Sequence, residues 1–231
     1  MSDFINIDHL DLPFSIIKFD EFNLLINSEN TSQSFLIELQ SLVKDILFLY
    51  ANHKKDSSNE NIINIHPGGK QAFLVFECML DNKKVAVKIY KPIVTHLIVH
   101  TIATIFVQQN IEQFEGNYQG GTIKLALPST IALGYSSSNA LLSQVAILIQ
   151  DWVENGEEIY KVYPKDHVAI IRSIIKKLTT DNGLMVDIMS KNWLSGNLDN
   201  QVTYIDLILF NPKGKILEQI KTWAKELNYQ F

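Results

Sequence analysis

Apolar residues recur along this chain with two different periods, and the switches between them mark its elements. Phe22 to Ile26 reads as a strand. After it, Thr31 or Ser32 can cap a helix in which Phe35, Leu36, Leu39, Leu42, Val43, Ile46, Leu47 and Tyr50 return at helical spacing. The polar run from Asn52 to Asn61 ends that pattern as an exposed connection. Residues 1–60 are therefore expected as an N-terminal extension whose one helix packs on the domain that follows, or forms a dimer contact. From Ile62 to Tyr90 the chain becomes extended: a strand reaching Pro67-Gly68-Gly69, a second from Phe73 to Leu80, a turn at Asp81-Asn82-Lys83, and a third from Lys84 to Tyr90. Pro92 opens a long helix expected to run to about Phe114. Gly116 to Gly121 is expected as a loop, followed by strands near Thr130–Gly134 and Gln144–Gln150. Lys165 to Leu178 predicts a helix with Val168, Ile171, Ile174, Ile175 and Leu178 on one face. Short strands at Trp193–Leu194 and Thr203–Asp206 flank a polar turn. Ile216, Leu217, Ile220, Trp223, Ala224 and Leu227 mark a closing helix. Strands and one helix first, then helices and a hairpin, predict an α+β fold rather than a wound parallel sheet.

Composition narrows the function classes. In 231 residues, 46% hydrophobic and 19% charged, there is enough apolar material for one compact domain or two small lobes. The formal charge of −5, with scattered cations, argues against nucleic-acid binding. The single cysteine, Cys78, precludes an internal disulfide and lies in an apolar stretch, which predicts a packed thiol rather than a nucleophile. Met1-Ser2-Asp3-Phe4 is acidic and leads into no long apolar run, so no signal peptide is expected. The segment Ile93 to Val107 is interrupted by Thr95, His96, His100, Thr101 and Thr104 and is too short to span a bilayer. A soluble, cytoplasmic protein is expected.

Candidate chemistry is spread over four places. Lys88 ends Val85-Ala86-Val87-Lys88, an apolar strand where an ammonium calls for an anion, unless it lies on the solvent side of an edge strand. Gly68 and Gly69 stand in a turn where missing Cβ atoms let backbone N–H groups approach a phosphate, although a plain turn is the more frequent explanation. Asp187 and Asn192 lie five residues apart, and Asp206 ends a short strand. Asn192 and Asp206 offer oxygen donors for Mg²⁺, which leaves Asp187 to accept or orient a hydroxyl proton. His96 and His100 have the spacing of a helical metal pair but no third ligand, and read as ordinary surface histidines. Ser136 to Asn139 reads as a loop, Lys176-Lys177 as a solvated helix edge, and Trp223 with Tyr229 as core.

Taken in this order, Lys88, Asp187, Asn192 and Asp206 give residues 62 to 210 a pattern that resembles the protein-kinase superfamily. The resemblance implies a two-lobed fold, with an antiparallel β N-lobe over residues 61–150 and a minimal, mostly helical C-lobe over 151–231. It implies ATP and Mg²⁺, with Lys88 on the α/β-phosphates, Asp187 as the catalytic aspartate, and Asn192 and Asp206 on the metal. Gln150 to Glu157 looks like the hinge, which puts the backbone of Asp151 and Val153 on adenine and Glu157 on the ribose. The carboxylate paired with Lys88 would lie on the helix after its strand, where Glu112 is preferred over Glu115.

Several positions depart from the family pattern. Met185-Val186 stands before Asp187 where the family has His-Arg. Met189 replaces the catalytic-loop cation, and Leu207-Ile208 replaces Phe-Gly. Pro67 and Ala72 occupy flanking glycine positions of the phosphate loop. The short ending resembles lipopolysaccharide core sugar kinases and aminoglycoside-phosphotransferase-like enzymes, implying a small-molecule or sugar acceptor. Three functions follow: a phosphotransferase, a pseudokinase that binds nucleotide or a protein partner without turnover, and an adaptor domain in which the acids merely cap turns.

Overall fold

The computed structural model describes residues 4–5, 14–19, 22–27, 32–52, 59–68, 72–90, 101, 104–105, 107–136, 145–181, 184, 192–195, 201–205, 217–218 and 221–222. Its elements run β1 (Phe4–Ile5), β2 (Phe14–Phe19), β3 (Phe22–Asn27), α1 (Gln33–Ala51), β4 (Ile62–Pro67), β5 (Ala72–Leu80) and β6 (Lys83–Tyr90). A 3-10 turn (Ile111–Phe114) precedes β7 (Glu115–Tyr118), β8 (Gly121–Ala126), β9 (Thr130–Ser136) and β10 (Ala146–Asp151). Then follow α2 (Ile159–Val162), α3 (Lys165–Asp181), β11 (Trp193–Ser195) and β12 (Gln201–Tyr204). Two compact units emerge: Met1–Val94 with Thr130–Trp152, and Thr95–Ser129 with Val153–Phe231.

The first unit is an eight-stranded sheet in the order β1-β2-β3-β9-β10-β6-β5-β4, with every pairing antiparallel. One face carries α1. Its apolar stripe, including Leu39, Leu42, Val43 and Ile46 at 0% exposure, packs with Leu24 and Ile26 of β3, Phe76 and Cys78 of β5, Val85, Val87 and Ile89 of β6, and Ile147 and Ile149 of β10. Ser32 starts the helix, its hydroxyl accepting the Phe35 N–H at 3.3 Å. Glu38 ties it to the β5–β6 hairpin by accepting the Asp81 N–H at 3.2 Å. That hairpin turns on Asp81 and Asn82, both left-handed at φ 51° and 58°, which suits a two-residue turn between twisted strands. The first 60 residues contribute, besides α1 and the strand expected at Phe22 to Ile26, the two strands β1 and β2, and β3 pairs directly with β9.

In the second unit, β11-β12-β8-β7 form a four-stranded sheet, with β12 parallel to β8 and the other pairs antiparallel. The loop expected at Gly116 to Gly121 is instead most of the β7–β8 hairpin. Its glycines serve packing and turning: a Cβ on Gly116 would lie 2.2 Å from Ile174 Cγ2 of α3, and Gly121 has φ 126°. Val168, Ile171 and Ile175 bury the inner face of α3. The helix expected to reach Phe114 is helical at the described positions 101, 104–105 and 107–109 and gives way to the 3-10 turn. Pro92, His96 and His100 lie outside the described residues, as does most of the closing helix, which is helical at 217–218 and 221–222. No described helix is long and apolar enough to cross a membrane.

Candidate nucleotide site

Lys88 occupies an inner strand. β6 lies between β5 and β10, and Lys88 stands opposite Val75 on one side and Leu148 on the other. Its neighbours Val87 and Ile89 point into the α1 core, so strand alternation turns Lys88 to the other face of the sheet. It is 6% exposed. The edge-strand alternative, in which the ammonium stays in water, is thereby excluded. An isolated charge at this depth would cost several kcal/mol, and Lys88 is accordingly not free of contacts.

The same face carries a polar cluster that the sequence did not single out. Glu77 is buried, and its carboxylate accepts from Asn64 Nδ2 at 2.8 Å. It also meets Lys84 Nζ at 3.1 Å and His66 Nε2 at 3.7 Å. The Asn64 amide, then Lys84 and His66, hold its pKa below the usual carboxylate value against the opposing effect of burial. His66 stacks on Trp152 with ring centroids 6.0 Å apart. The signal in the sequence was a lone acid inside Leu74 to Leu80, legible only once β4 and β6 are known to flank it.

The glycine turn between β4 and β5 is tight. Gly68 donates its N–H to the Phe73 carbonyl at 3.1 Å, and a Cβ there would lie 1.9 Å from the Ala72 carbonyl oxygen. Its N–H is thus spent within the turn, and glycine is required by the close approach of backbone. Gly69 lies outside the described residues.

At the end of β10, Asp151 is exposed opposite Val85, and the Trp152 N–H donates to the Lys84 carbonyl at 3.2 Å, extending the ladder by one bond. Val153 begins a turn closed by the Gly156 N–H at 3.4 Å, through Asn155 in the left-handed region at φ 51°. Glu157 is exposed, yet its backbone is fixed: its carbonyl accepts the Ser195 N–H at 2.7 Å, and its N–H reaches Ser195 Oγ at 3.3 Å. These bonds tie the expected ribose-contacting residue to β11, three positions after Asn192.

Asn192 is buried, and its carbonyl accepts the Ile205 N–H at 3.0 Å. The β11–β12 ladder, with Trp193 opposite Tyr204 and their rings 4.7 Å apart, therefore continues one step to Asn192 and Ile205. Asp206 comes next in sequence. It lies outside the described residues, as do Asp187 and the departures at Met185, Val186, Met189, Leu207 and Ile208. Glu112 stands exposed on the 3-10 turn rather than on a helix. Glu115 lies on β7 and pairs with Lys124 at 2.6 Å. The helix ends before either, because Asn110 accepts the Gln113 N–H in 3-10 geometry and Gly116 enters the hairpin. Cys78 is fully buried in the α1 core, and burial pushes its thiol up to about 12, as expected of a packing residue.

No protein-family model matches the chain, and no curated protein does. Among solved structures, the chain is similar to the kinase domain of Mycobacterium tuberculosis PknI, with a TM-score of 0.37 and 12% identity over 68% of this chain and 64% of that one. A double mutant of the same domain gives a TM-score of 0.37 at 12% identity over 65% and 61%. A third structure of it gives 0.36 at 11% identity over 63% and 57%. The chain thus spans less than two thirds of those kinase domains. Its own elements, an antiparallel sheet with helices in two compact units, form an α+β fold.

Proposed function

We propose that the chain is an ATP- and Mg²⁺-dependent phosphotransferase acting on a hydroxyl of a small molecule or sugar. The observation that carries this reading is Lys88, a lysine 6% exposed on an inner strand, next to the strand that leads into Asp151 and Val153. Alongside its contacts within the chain, Lys88 would meet nucleotide phosphate, the anion that the resemblance to the kinase pattern implies for it. Gly69 would line the phosphate end of the sheet, with Gly68 shaping the turn. The backbone at Asp151 and Val153 would meet adenine, and Glu157 the ribose. Asn192 and Asp206 supply an amide and a carboxylate oxygen, a donor set that fits Mg²⁺, and a bound ion would neutralise phosphate charge. Asp187 would take or orient the proton of the attacking hydroxyl. Glu112 is the carboxylate proposed to balance Lys88.

A second reading is a pseudokinase that binds nucleotide or a protein partner without turnover. Met189 in place of a catalytic-loop cation and Met185-Val186 before Asp187 favour it. The cytoplasm is the compartment proposed for either form.

The test is thermal stabilisation by ATP with and without Mg²⁺, on wild type, Lys88→Met and Asp206→Ala. Magnesium-dependent stabilisation in the wild type, lost in Asp206→Ala and weakened roughly tenfold or more in Lys88→Met, is expected from loss of charge-assisted contacts. No nucleotide effect on the wild type would sink the phosphotransferase reading. ATP hydrolysis by wild type against Asp187→Ala then separates them, since equal rates would remove Asp187 from any mechanism.

A further inference from the structure

The two most exposed large apolar side chains among the described residues lie on one helix: Ile37 at 62% and Phe48 at 56%. Both belong to α1, whose opposite face buries eight apolar side chains in the core of the first unit. At 3.6 residues per turn their spacing is close to three whole turns, so they stand about 16 Å apart on one ridge, away from the sheet. Ser41 and Lys44, both exposed, complete the ridge between them. A single apolar side chain on a surface needs no explanation, but these two close both ends of one line.

The ridge is its own complement when reversed. A second copy of α1 can be laid antiparallel across it, with a two-fold axis midway between Ser41 and Lys44. Ile37 then meets Phe48 of the second copy, and Ser41 meets its Lys44. Apolar groups cover each other at both ends, and the small Ser41 side chain lets the helices approach at the centre. Charge decides the direction. The surface neighbours of Ser41 are Glu38 one turn before and Asp45 one turn after, so each Lys44 arrives between two carboxylates of the other copy. Those carboxylates are already fixed on that flank, Glu38 by the Asp81 N–H and Asp45 by the Asn59 amide. A parallel arrangement would set Lys44 on Lys44 and leave the acids without a cation from across the interface.

We propose that the outer ridge of α1 is a homodimer interface, in which two copies of the chain pack antiparallel through Ile37, Ser41, Lys44 and Phe48. The inner stripe of the helix folds the first unit, and the outer ridge joins two such units. The contact is small, one ridge on each side, so it associates at about micromolar concentration rather than permanently.

The experiment is sedimentation equilibrium of the full chain up to about 100 μM, with wild type, Ile37→Glu, Phe48→Glu and Lys44→Glu compared. Wild type is expected to reach twice the chain mass, and each variant to weaken the dimer at least about tenfold. All three positions are exposed, and near-ultraviolet circular dichroism checks that each variant keeps the wild-type fold. Direction is read separately by oxidative cross-linking of Ile37→Cys mixed with Phe48→Cys; Cys78 is fully buried and stays out of the reaction. A covalent dimer is expected from the mixture and not from either variant alone, because like positions lie about 16 Å apart along the antiparallel pair. A wild type that stays monomeric throughout, or a dimer that the three charged variants leave intact, would overturn the inference. Cross-linking of Ile37→Cys to itself would equally overturn the antiparallel pairing.

Discussion

Deleting residues 1–60 should abolish cooperative folding of the remainder. The deletion removes β1–β3 and α1, and α1 alone buries eight apolar side chains: Phe35, Leu36, Leu39, Leu42, Val43, Ile46, Leu47 and Leu49. At about 1.5–3 kcal/mol for each buried side chain, the loss is on the order of 12–24 kcal/mol. Compactness of the denatured chain trims that figure by roughly 10–40%. What is left still matches or exceeds the roughly 5–15 kcal/mol by which a domain is normally stable. The deletion also bares the α1 face of β5, β6 and β10 and the edge of β9. Urea unfolding followed by near-ultraviolet circular dichroism on residues 61–231 is the assay, with a broad, non-cooperative change as the expected result. In the full chain Leu42→Ala, at a position with 0% exposure, should cost about 2–5 kcal/mol. A sharp transition and a native-like spectrum from residues 61–231 would refute the reasoning, since the first 60 residues would then be a separable extension.

Two further outcomes bear on the Lys88 strand and its neighbours. Glu77 has a folded pKa below its ordinary 4.5, so its stabilising contribution is complete above about pH 4.5 and is lost as pH falls through the folded value. Glu77→Gln should therefore cost about 1 kcal/mol near neutrality, with the gap to wild type closing as urea midpoints are taken down toward pH 3; a gap independent of pH would remove the ionised carboxylate from the account. With its thiol at about 12 against an ordinary 9.0, Cys78 should form thiolate roughly a thousandfold less than a free cysteine at pH 8, and it is fully buried besides. Labelling by a disulfide reagent should wait on unfolding, and fast labelling of the folded protein would contradict the packing of β5 against α1.

Local pattern carried much of the architecture. Helical periodicity from Phe35 to Tyr50 placed α1 to within a residue or two, because a nineteen-residue helix with one buried stripe writes its period into the chain. Asp81-Asn82 marked the β5–β6 hairpin because both residues tolerate left-handed backbone. The Gly116 to Gly121 segment was misread because its glycines carry the usual signal of a loop. They are there to let Ile174 of α3 approach and to turn a hairpin, and the parallel partner of β8 is β12, some 75 residues further on.

Lys88 shows where the division falls. Its strand and its apolar neighbours are written locally, and so is the demand that an ammonium there should either reach water or meet an anion. Which of the two holds depended on whether β6 lay at an edge. That was decided by β10, whose pairing with β6 joins residues about 60 positions apart. A side chain's period is a property of its own segment, whereas its burial is set by strands that arrive from elsewhere. The sequence determined that Lys88 would be costly to bury, and only the tertiary structure decided that it is buried.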